Sequence, residues 1–190
     1  MRNLLLLIAF LGFFSCSSPV EEGDFSDVPE GAILEDFTDD PDLKMATIYA
    51  GADIAAQGTY FKGSRSGTWT EYYANAGGVK SITTYINGQK EGIFIQLNDQ
   101  GALEEKLSYH KDLPHGKYGR YKRGRIIEER EYAYGQLDGL MKKYYDNGTV
   151  MEESIFSAGV RNGMAKWYDQ EGNLTIEYEY VNGELVKEEQ

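Results

Sequence analysis

The sequence predicts an all-β protein, an elongated antiparallel meander of stacked β-hairpins, and three observations support this. Glycine is abundant (22) and proline is rare (4), which favours many tight turns between ordered segments over a disordered linker. Certain glycines recur with a period of about 24 residues, as internal repeats do. Aromatic residues keep fixed distances from those glycines, and all 15 tyrosines lie between Tyr49 and Tyr180.

Three sets of glycines define the repeat. The first set opens each repeat and comprises Gly67, Gly92, Gly116, Gly139 and Gly163. The second set lies between the two strands of each repeat and comprises Gly77, Gly101, Gly124, Gly148 and Gly172. The third set comprises Gly63, Gly88, Gly135, Gly159 and Gly183, and Asp112 fills its missing place. We therefore expect one partial and five full repeats over residues 46–186.

The bulky residues follow the same period. Two residues after each opening glycine stand Trp69, Phe94, Tyr118, Met141 and Ala165. Five residues after it stand Tyr72, Leu97, Tyr121, Tyr144 and Tyr168. Eight residues after each second-set glycine stand Tyr85, Tyr109, Tyr132, Phe156 and Tyr180. At such strict positions we expect these side chains to form the stacking core.

Each repeat reads as two strands and two turns. Asn87-Gly88, Asn147-Gly148 and Asn182-Gly183 predict type I′ turns, which need positive φ at both central residues. Positions two and five of the first strand cannot share a face if the strand is regular, so we expect a bulge or bend between them. Helices are excluded because a glycine falls every eight to twelve residues, and each costs about 1 kcal/mol inside a helix.

The stretch from Gly139 to Val150, with its Tyr144-Tyr145 pair and Asn147-Gly148, resembles the MORN-variant repeat of the YwqK-like bacterial family. The resemblance covers about three quarters of the chain and implies hairpin stacked on hairpin. The departures are Leu97, Gly119 and Gly124, and the stretch 112–115, where the array could be distorted. Members of that family are often called antitoxins, so the resemblance also implies a toxin as one partner.

The first residues predict an export signal. Arg2 precedes an apolar run from Leu4 to Phe14, which is too short to span a bilayer and has the form of a secretory signal. Phe13-Phe14-Ser15-Cys16 resembles the lipobox of bacterial lipoproteins, although Phe stands where Leu is commoner. This resemblance implies cleavage after residue 15, lipid attachment at Cys16 and location at the outer membrane, on its periplasmic or surface face.

Residues 16–45 are predicted to be a flexible acidic linker, because ten acidic residues face one base, Lys44, between Ser17 and Lys44. Charged segments with few apolar residues stay extended. The repeat array would follow over 46–186, and residues 187–190 would form a C-terminal tail. The linker either spaces the array from the membrane or acts as a surface-export tag.

Composition and spacing argue against several functions. The net charge of −12 disfavours nucleic acid and anionic lipid surfaces, so contact with a membrane is expected only through the lipid anchor. His110 and His115 lack the spacing of a metal site, and the recurring pairs such as Glu152-Glu153 mark a structural position. We therefore expect no enzyme activity, no cofactor and no metal.

The third repeat carries an unusual cluster of basic residues on this acidic protein. Its candidate partner-binding residues are Lys117, Arg120, Lys122, Arg123 and Arg125. Three aromatic candidates in other repeats, Tyr73, Tyr145 and Trp167, fall off the aromatic stripe as Tyr134 does, and we expect all four to be exposed. The cluster is either a solvated face balanced by neighbouring glutamates or a docking patch for an acidic partner, including the acidic linker itself.

The sequence thus favours a non-catalytic envelope lipoprotein that binds or scaffolds a protein or an envelope glycan. The alternatives are an antitoxin or immunity-type protein that neutralises a toxin and, less favoured, an envelope enzyme.

Overall fold

The computed structural model describes residues 24–26, 28–74 and 77–186, and every regular element in them is a β-strand. The strands are β1 (Ile33–Phe37), β2 (Asp40–Ala50), β3 (Asp53–Phe61), β4 (Ser64–Tyr72), β5 (Val79–Ile86), β6 (Gln89–Leu97), β7 (Leu103–His110), β8 (Leu113–Pro114), β9 (Gly116–Lys122), β10 (Arg125–Ala133), β11 (Gln136–Leu137), β12 (Gly139–Tyr144), β13 (Val150–Ser157), β14 (Val160–Tyr168), β15 (Leu174–Val181) and β16 (Glu184–Leu185).

These strands form one open antiparallel sheet in which chain neighbours are also sheet neighbours. The two-residue strands β8 and β11 pair with β7 and β10 respectively, and the chain then continues beside the same neighbours as β9 and β12. The predicted all-β meander of stacked hairpins is therefore confirmed.

The third-set residues, together with Gly124 of the second set, close two-residue turns with left-handed backbone at both positions. The turn pairs are Lys62-Gly63, Asn87-Gly88, Lys111-Asp112, Arg123-Gly124, Tyr134-Gly135, Ala158-Gly159 and Asn182-Gly183. Positive φ at both residues is the type I′ geometry that matches the twist of hairpin strands. The predictions for Asn87-Gly88 and Asn182-Gly183 are confirmed, and Asp112 does take the place of a glycine, at φ 66°.

The type I′ prediction for Asn147-Gly148 is wrong. Gly148 has positive φ but Asn147 does not, and the loop is longer, with the Tyr145 N–H donating to the Thr149 carbonyl at 2.9 Å. The Asn147 side chain explains the difference, because it accepts a hydrogen bond from the Thr149 N–H at 2.9 Å. A short polar side chain that bonds two residues ahead stabilises this wider turn.

One backbone hydrogen bond joins each third-set turn after Lys62-Gly63 to the third-set turn before it. The N–H of the second turn residue donates to the carbonyl of the second residue after the preceding turn. The five bonds are Gly88 to Arg65, Asp112 to Lys90, Gly135 to Pro114, Gly159 to Leu137 and Gly183 to Arg161, at 2.8–3.0 Å. The turns are therefore stacked along one edge of the sheet.

A bulge is present in every full repeat, but the prediction that it lies in the first strand is wrong. The register shifts between positions four and five of the first strand, for example between Glu71 and Tyr72 and between Lys143 and Tyr144. The extra residue lies in the second strand, where Lys80 has no opposite residue. The first strand stays regular here, so positions two and five point to opposite faces, with Trp69 buried and the Tyr72 hydroxyl bonded to Gln57.

One face of the sheet, which we call the core face, holds the buried side chains Ala46, Ala56, Tyr60, Trp69, Tyr85, Leu107, Met141 and Ala165. Trp69 is 1% exposed and lies over Gly58, where an added Cβ would come within 2.3 Å of its ring. Arg65 stacks on Trp69 with its guanidinium carbon 4.4 Å from the ring centre. Cations that cover aromatic rings in this way shield the open core from water.

The prediction of a flexible linker over residues 16–45 is wrong for its second half. Residues from Ile33 onward form β1 and most of β2, a hairpin that precedes the expected start of the array at Ala46. Phe25, Val28 and Leu34 pack against the buried cluster around Trp69. Burial of these apolar side chains outweighs the repulsion among the acidic residues, one of which, Asp36, is paired with Lys44 at 2.6 Å.

The predicted signal peptide, Cys16 and the tail at 187–190 lie outside the described residues. Within the described residues, no helix has the length and apolar character needed to cross a membrane.

Candidate functional site

Four of the candidate binding residues line one cavity at the turn edge of the third repeat. The cavity has a volume of about 320 Å³, and its walls are Lys122, Arg123, Arg125, Ile127, Tyr145 and Asp146. This size is at the lower end of the range for small-molecule sites. We call this cavity the basic pocket.

The local fold explains why these side chains meet. Arg123-Gly124 is the type I′ turn between β9 and β10, and it places Lys122 opposite Arg125. The loop after β12 occupies the equivalent place in the next repeat, so Tyr145 and Asp146 lie beside that turn. Arg125 Nη1 donates to the Asp146 carbonyl at 2.9 Å and joins the two loops.

The pocket has an excess of positive charge. Lys122, Arg123 and Arg125 are exposed, and the acidic group that lines the pocket is Asp146. Lys122 Nζ lies 3.6 Å from an Asp146 carboxylate oxygen, but both side chains are more than half exposed, so their mutual attraction is weak. Arg123 pairs with no carboxylate among the described residues. Two guanidinium groups and an ammonium group suit a carboxylate or phosphate ligand.

The remaining basic candidates lie elsewhere. Lys117 is opposite Glu131 on the outer face of the sheet, by which we mean the face away from the core face. Arg120 is held on the core face, where Nη2 lies 2.9 Å from a Glu128 carboxylate oxygen. The structure therefore divides the basic cluster of the third repeat: its turn edge lines the basic pocket, and Lys117 lines two other cavities of about 190 and 250 Å³ on the sheet.

The aromatic candidates are less exposed than expected. Tyr73 and Tyr145 are half-buried, and each hydroxyl donates at 2.8 Å to a backbone carbonyl of the next repeat, on Leu97 and Tyr168 respectively. The expectation that they are free surface side chains is wrong, because these hydrogen bonds fasten them between neighbouring repeats.

Trp167 and Tyr134 differ from that pair. Trp167 is half-buried on the core face with its ring edge-on to Tyr178, at 6.0 Å between ring centres. Tyr134 is 67% exposed, as expected, and lies 4.9 Å from His115 between ring centres.

The core face also buries two carboxylates in the middle of its aromatic stripe. Glu128 is 1% exposed and accepts hydrogen bonds from Arg130 at 2.6 and 2.8 Å. Glu152 is 5% exposed and accepts from Arg161 at 2.6 Å, Lys143 at 3.0 Å and Ser154 at 3.1 Å. Each carboxylate is thus saturated by neighbouring side chains, as buried charges require.

Titration of these groups follows from their contacts. Burial alone would raise the pKa of Glu152, but the hydrogen bonds from Lys143 and Arg161 outweigh it and hold the pKa below its usual range. Burial, with the hydrogen bond that Tyr118 donates to Glu105, raises the pKa of Tyr118 to about 12. A saturated carboxylate and a phenol that stays protonated at neutral pH are poor general bases.

The two histidines lie together near the exposed Tyr134. His110 Nδ1 is 2.9 Å from a carboxylate oxygen of Glu91, and this hydrogen bond lowers the pKa of Glu91. The ring centres of His110 and His115 are 6.0 Å apart. In the described part of the chain, no group of three or more His, Cys, Asp and Glu side chains is placed to hold a metal ion.

Sequence reasoning missed Asp146 and Ile127 as walls of the basic pocket. A signal for Asp146 was present, because it stands at the same place in the fourth repeat as Arg123 does in the third, seven residues after the opening glycine. Equivalent turns of successive repeats lie side by side in a stacked array. Ile127 is the extra residue of the bulge in β10, and its position cannot be read from the period alone.

The geometry defines an open array of β-hairpin repeats with a charged turn edge. The family model described as MORN repeat variant matches residues 137–158 and 161–182. MORN-type hairpin repeats are therefore present in the fourth and fifth repeats of this chain. This match does not extend to the YwqK-like lipoprotein family.

Comparison with other proteins adds little about activity. No curated protein matches the chain. Among solved structures, it is similar to TarM, with a TM-score of 0.35 and 13% identity over 51% of this chain and 19% of that chain. It is also similar to the GtfA/B complex bound to UDP and GlcNAc, with a TM-score of 0.25 and 14% identity over 85% of this chain and 27% of that chain. The chain thus spans about a fifth and about a quarter of those longer chains.

The buried carboxylate of Glu152 gives a stability prediction. A carboxyl whose pKa is lower in the folded than in the unfolded chain stabilises the fold above the unfolded pKa of about 4.3, and this contribution is lost as pH falls through the folded pKa. Glu152→Gln should therefore lower the free energy of unfolding at pH 7 by about 1–3 kcal/mol. It should also flatten the loss of stability below pH 5, measured by urea denaturation.

Glu153→Gln is the matched control. Glu153 is the next residue, points to the outer face and pairs with Lys142 at 2.7 Å while remaining 28% exposed. Its replacement should cost less than about 1 kcal/mol at pH 7. Equal losses for the two variants would contradict a special role for the buried carboxylate.

Proposed function

We propose that this protein is a non-catalytic binding module of the cell envelope that holds an acidic partner protein at the basic pocket. The observation that carries the proposal is the gathering of Lys122, Arg123 and Arg125 around one cavity of a protein whose net charge is −12. A binding role is consistent with the match to MORN-type repeats.

The pocket has the features of a docking site rather than of a solvated charged face. Its three cations stand on the turn between β9 and β10, and the bond from Arg125 to the Asp146 carbonyl joins that turn to the loop of the next repeat. The guanidinium of Arg125 is therefore held in place before a partner binds. Tyr145 supplies an amphipathic wall, held by its bond to Tyr168. Pre-organised aromatic and arginine side chains are the residues that contribute most at protein interfaces.

We infer that the partner is a separate protein and not the acidic N-terminal stretch of the same chain. The part of that stretch described in the structure lies at the β1 end of the array, where the Asp24 backbone carbonyl lies beside Gly63. Gly63 belongs to the turn between β3 and β4, whereas the basic pocket begins at the turn between β9 and β10. An immunity-type protein, whose acidic partner would be a toxin, is a narrower form of the same proposal.

The proposed location rests on the sequence. The apolar run that ends at Phe14 and the cysteine that follows Ser15 support export and lipid attachment at Cys16. Attached acyl chains contribute about 0.8 kcal/mol for each buried CH₂ and anchor stably when two are present. The array would then present the basic pocket to partners at the outer membrane.

Poly-L-glutamate is a suitable probe for the proposed function. The full chain should bind it at low ionic strength, and the triple variant Lys122→Gln, Arg123→Gln and Arg125→Gln should bind roughly tenfold more weakly, because three exposed charge contacts of up to about 1 kcal/mol each are lost. Binding should weaken with added salt, which screens exposed charges. Isothermal titration calorimetry measures both effects.

A second triple variant controls for net charge. Lys62→Gln, Lys80→Gln and Lys111→Gln remove the same three charges from other exposed positions, and this variant should bind within about twofold of the wild type. A pocket variant that binds as well as the wild type would contradict the proposal, and so would equal losses in the two triple variants.

The anchor has a separate test. Replacing Cys16 with Ala should move the protein from the membrane fraction to the soluble fraction of the cell envelope, since the acyl chains would have no attachment site. Immunoblotting of fractionated cells measures this. A Cys16→Ala protein that still sediments with the outer membrane would contradict lipid anchoring, whatever the behaviour of the basic pocket.

A further inference from the structure

The last long strand of the array, β15, has an exposed core face. Ile176 and Tyr178 are 48% and 45% exposed, whereas Glu152 and Ser154, at the equivalent places on β13, are 5% and 0% exposed. The difference follows from the pairing. β13 lies between β12 and β14, whereas β15 is paired with β14 on one side and with the two-residue strand β16 at one end of the other.

The backbone along that second side of β15 is open to a partner. β16 pairs with Tyr180 and Val181, and the Val186 N–H donates to the Glu179 carbonyl at 2.8 Å. Between Leu174 and Tyr178 no strand of the described chain pairs with this side. An edge that combines unpaired peptide groups with apolar side chains is a template for another strand.

A row of alternating charges on the outer face shows which strand would fit. The register places Glu129, Lys142, Glu153, Lys166 and Glu177 side by side across β10, β12, β13, β14 and β15. Glu153 lies opposite a lysine on each side. Glu177 lies opposite Lys166 on one side, with the charged groups 3.9 Å apart, and its other side faces the open edge. A cation at the next place would continue the row.

The same charges disfavour a second copy of β15 at this edge. An antiparallel pair of β15 strands centred on Glu177 would place that residue opposite itself, and one centred on Tyr178 would place Glu177 opposite Glu179. Like charges that lie directly opposite each other destabilise strand pairs. In these two registers the edge therefore favours a basic strand over a copy of itself.

We propose that β15 binds an extended segment of a partner protein by strand addition, with a Lys or Arg of the segment opposite Glu177 and apolar residues on either side of that cation. The neighbouring strand β14 shows the required pattern, because it places Lys166 opposite Glu177, Trp167 opposite Ile176 and Ala165 opposite Tyr178. This edge is separate from the basic pocket and takes a segment of the opposite charge.

A fluorescently labelled peptide with the sequence of Gly163–Tyr168 is the probe, and fluorescence anisotropy with the full chain is the measurement. The peptide should bind saturably, and Glu177→Lys should weaken binding roughly tenfold, because an attractive cross-strand pair becomes repulsive. A peptide in which Glu replaces the lysine should show the reverse preference and bind the Glu177→Lys protein more tightly than the wild type. Glu171→Lys makes the same charge change in the exposed adjoining turn and should leave both affinities within about twofold.

Four outcomes would overturn the proposal. They are absence of saturable binding to the wild-type chain, binding that is indifferent to Glu177→Lys, an equal loss of binding in Glu171→Lys, and self-association of the full chain, measured by analytical ultracentrifugation, that Glu177→Lys abolishes. The last outcome would make the edge an interface between copies of the protein.

Discussion

The fold depends on one hydrogen bond that recurs from turn to turn. In the third-set turns from Asn87-Gly88 to Asn182-Gly183, the second turn residue donates its N–H to the chain just after the preceding turn, as Gly88 does to Arg65 and Gly183 to Arg161. The donor points the right way because both turn residues have left-handed backbone. Glycine adopts that conformation without strain. The glycines of the sequence therefore recur with the same period as this hydrogen bond.

Stacked turns fix the register, and the register sets the electrostatics of both faces. On the outer face it produces the row of alternating charges that ends at Glu177. On the core face it brings Glu128 and Glu152 between cations of neighbouring strands. An open sheet has a single layer and cannot enclose a wholly apolar core, so ion pairs and cation–aromatic stacks cover part of it. The same stacking brings the turns at the opposite edge together and forms the basic pocket.

The sequence predicts the repeats well because the positive-φ turns and the aromatic spacing are local and periodic. It does not predict the first hairpin, since the apolar residues of β1 and β2 are scattered among acids and show no period. It also misassigns Asn147-Gly148, where the Thr149 N–H donates to the Asn147 side-chain carbonyl and so selects a longer loop. The Asn-Gly signal for a two-residue turn does not show whether a side chain competes with the backbone for a hydrogen bond.

The candidate site was only partly predictable, because strand alternation and contacts between repeats decide which side chains meet there. The basic residues of the third repeat lie close together in the chain, but alternation along β9 sends Lys117 and Arg120 to opposite faces and leaves Lys122 and Arg123 at the turn. Tyr73 and Tyr145 fall off the stripe because they fasten one repeat to the next. Such contacts between repeats follow from the three-dimensional stacking and not from the period.

The register across the sheet is the most direct test of this account, and cross-strand nuclear Overhauser effects in isotopically labelled protein measure it. The account predicts that Lys142 lies opposite Glu129 on one side and Glu153 on the other. A shift of one residue would move every side chain to the other face. Finding Met141 or Lys143 opposite Glu153 would therefore contradict the account.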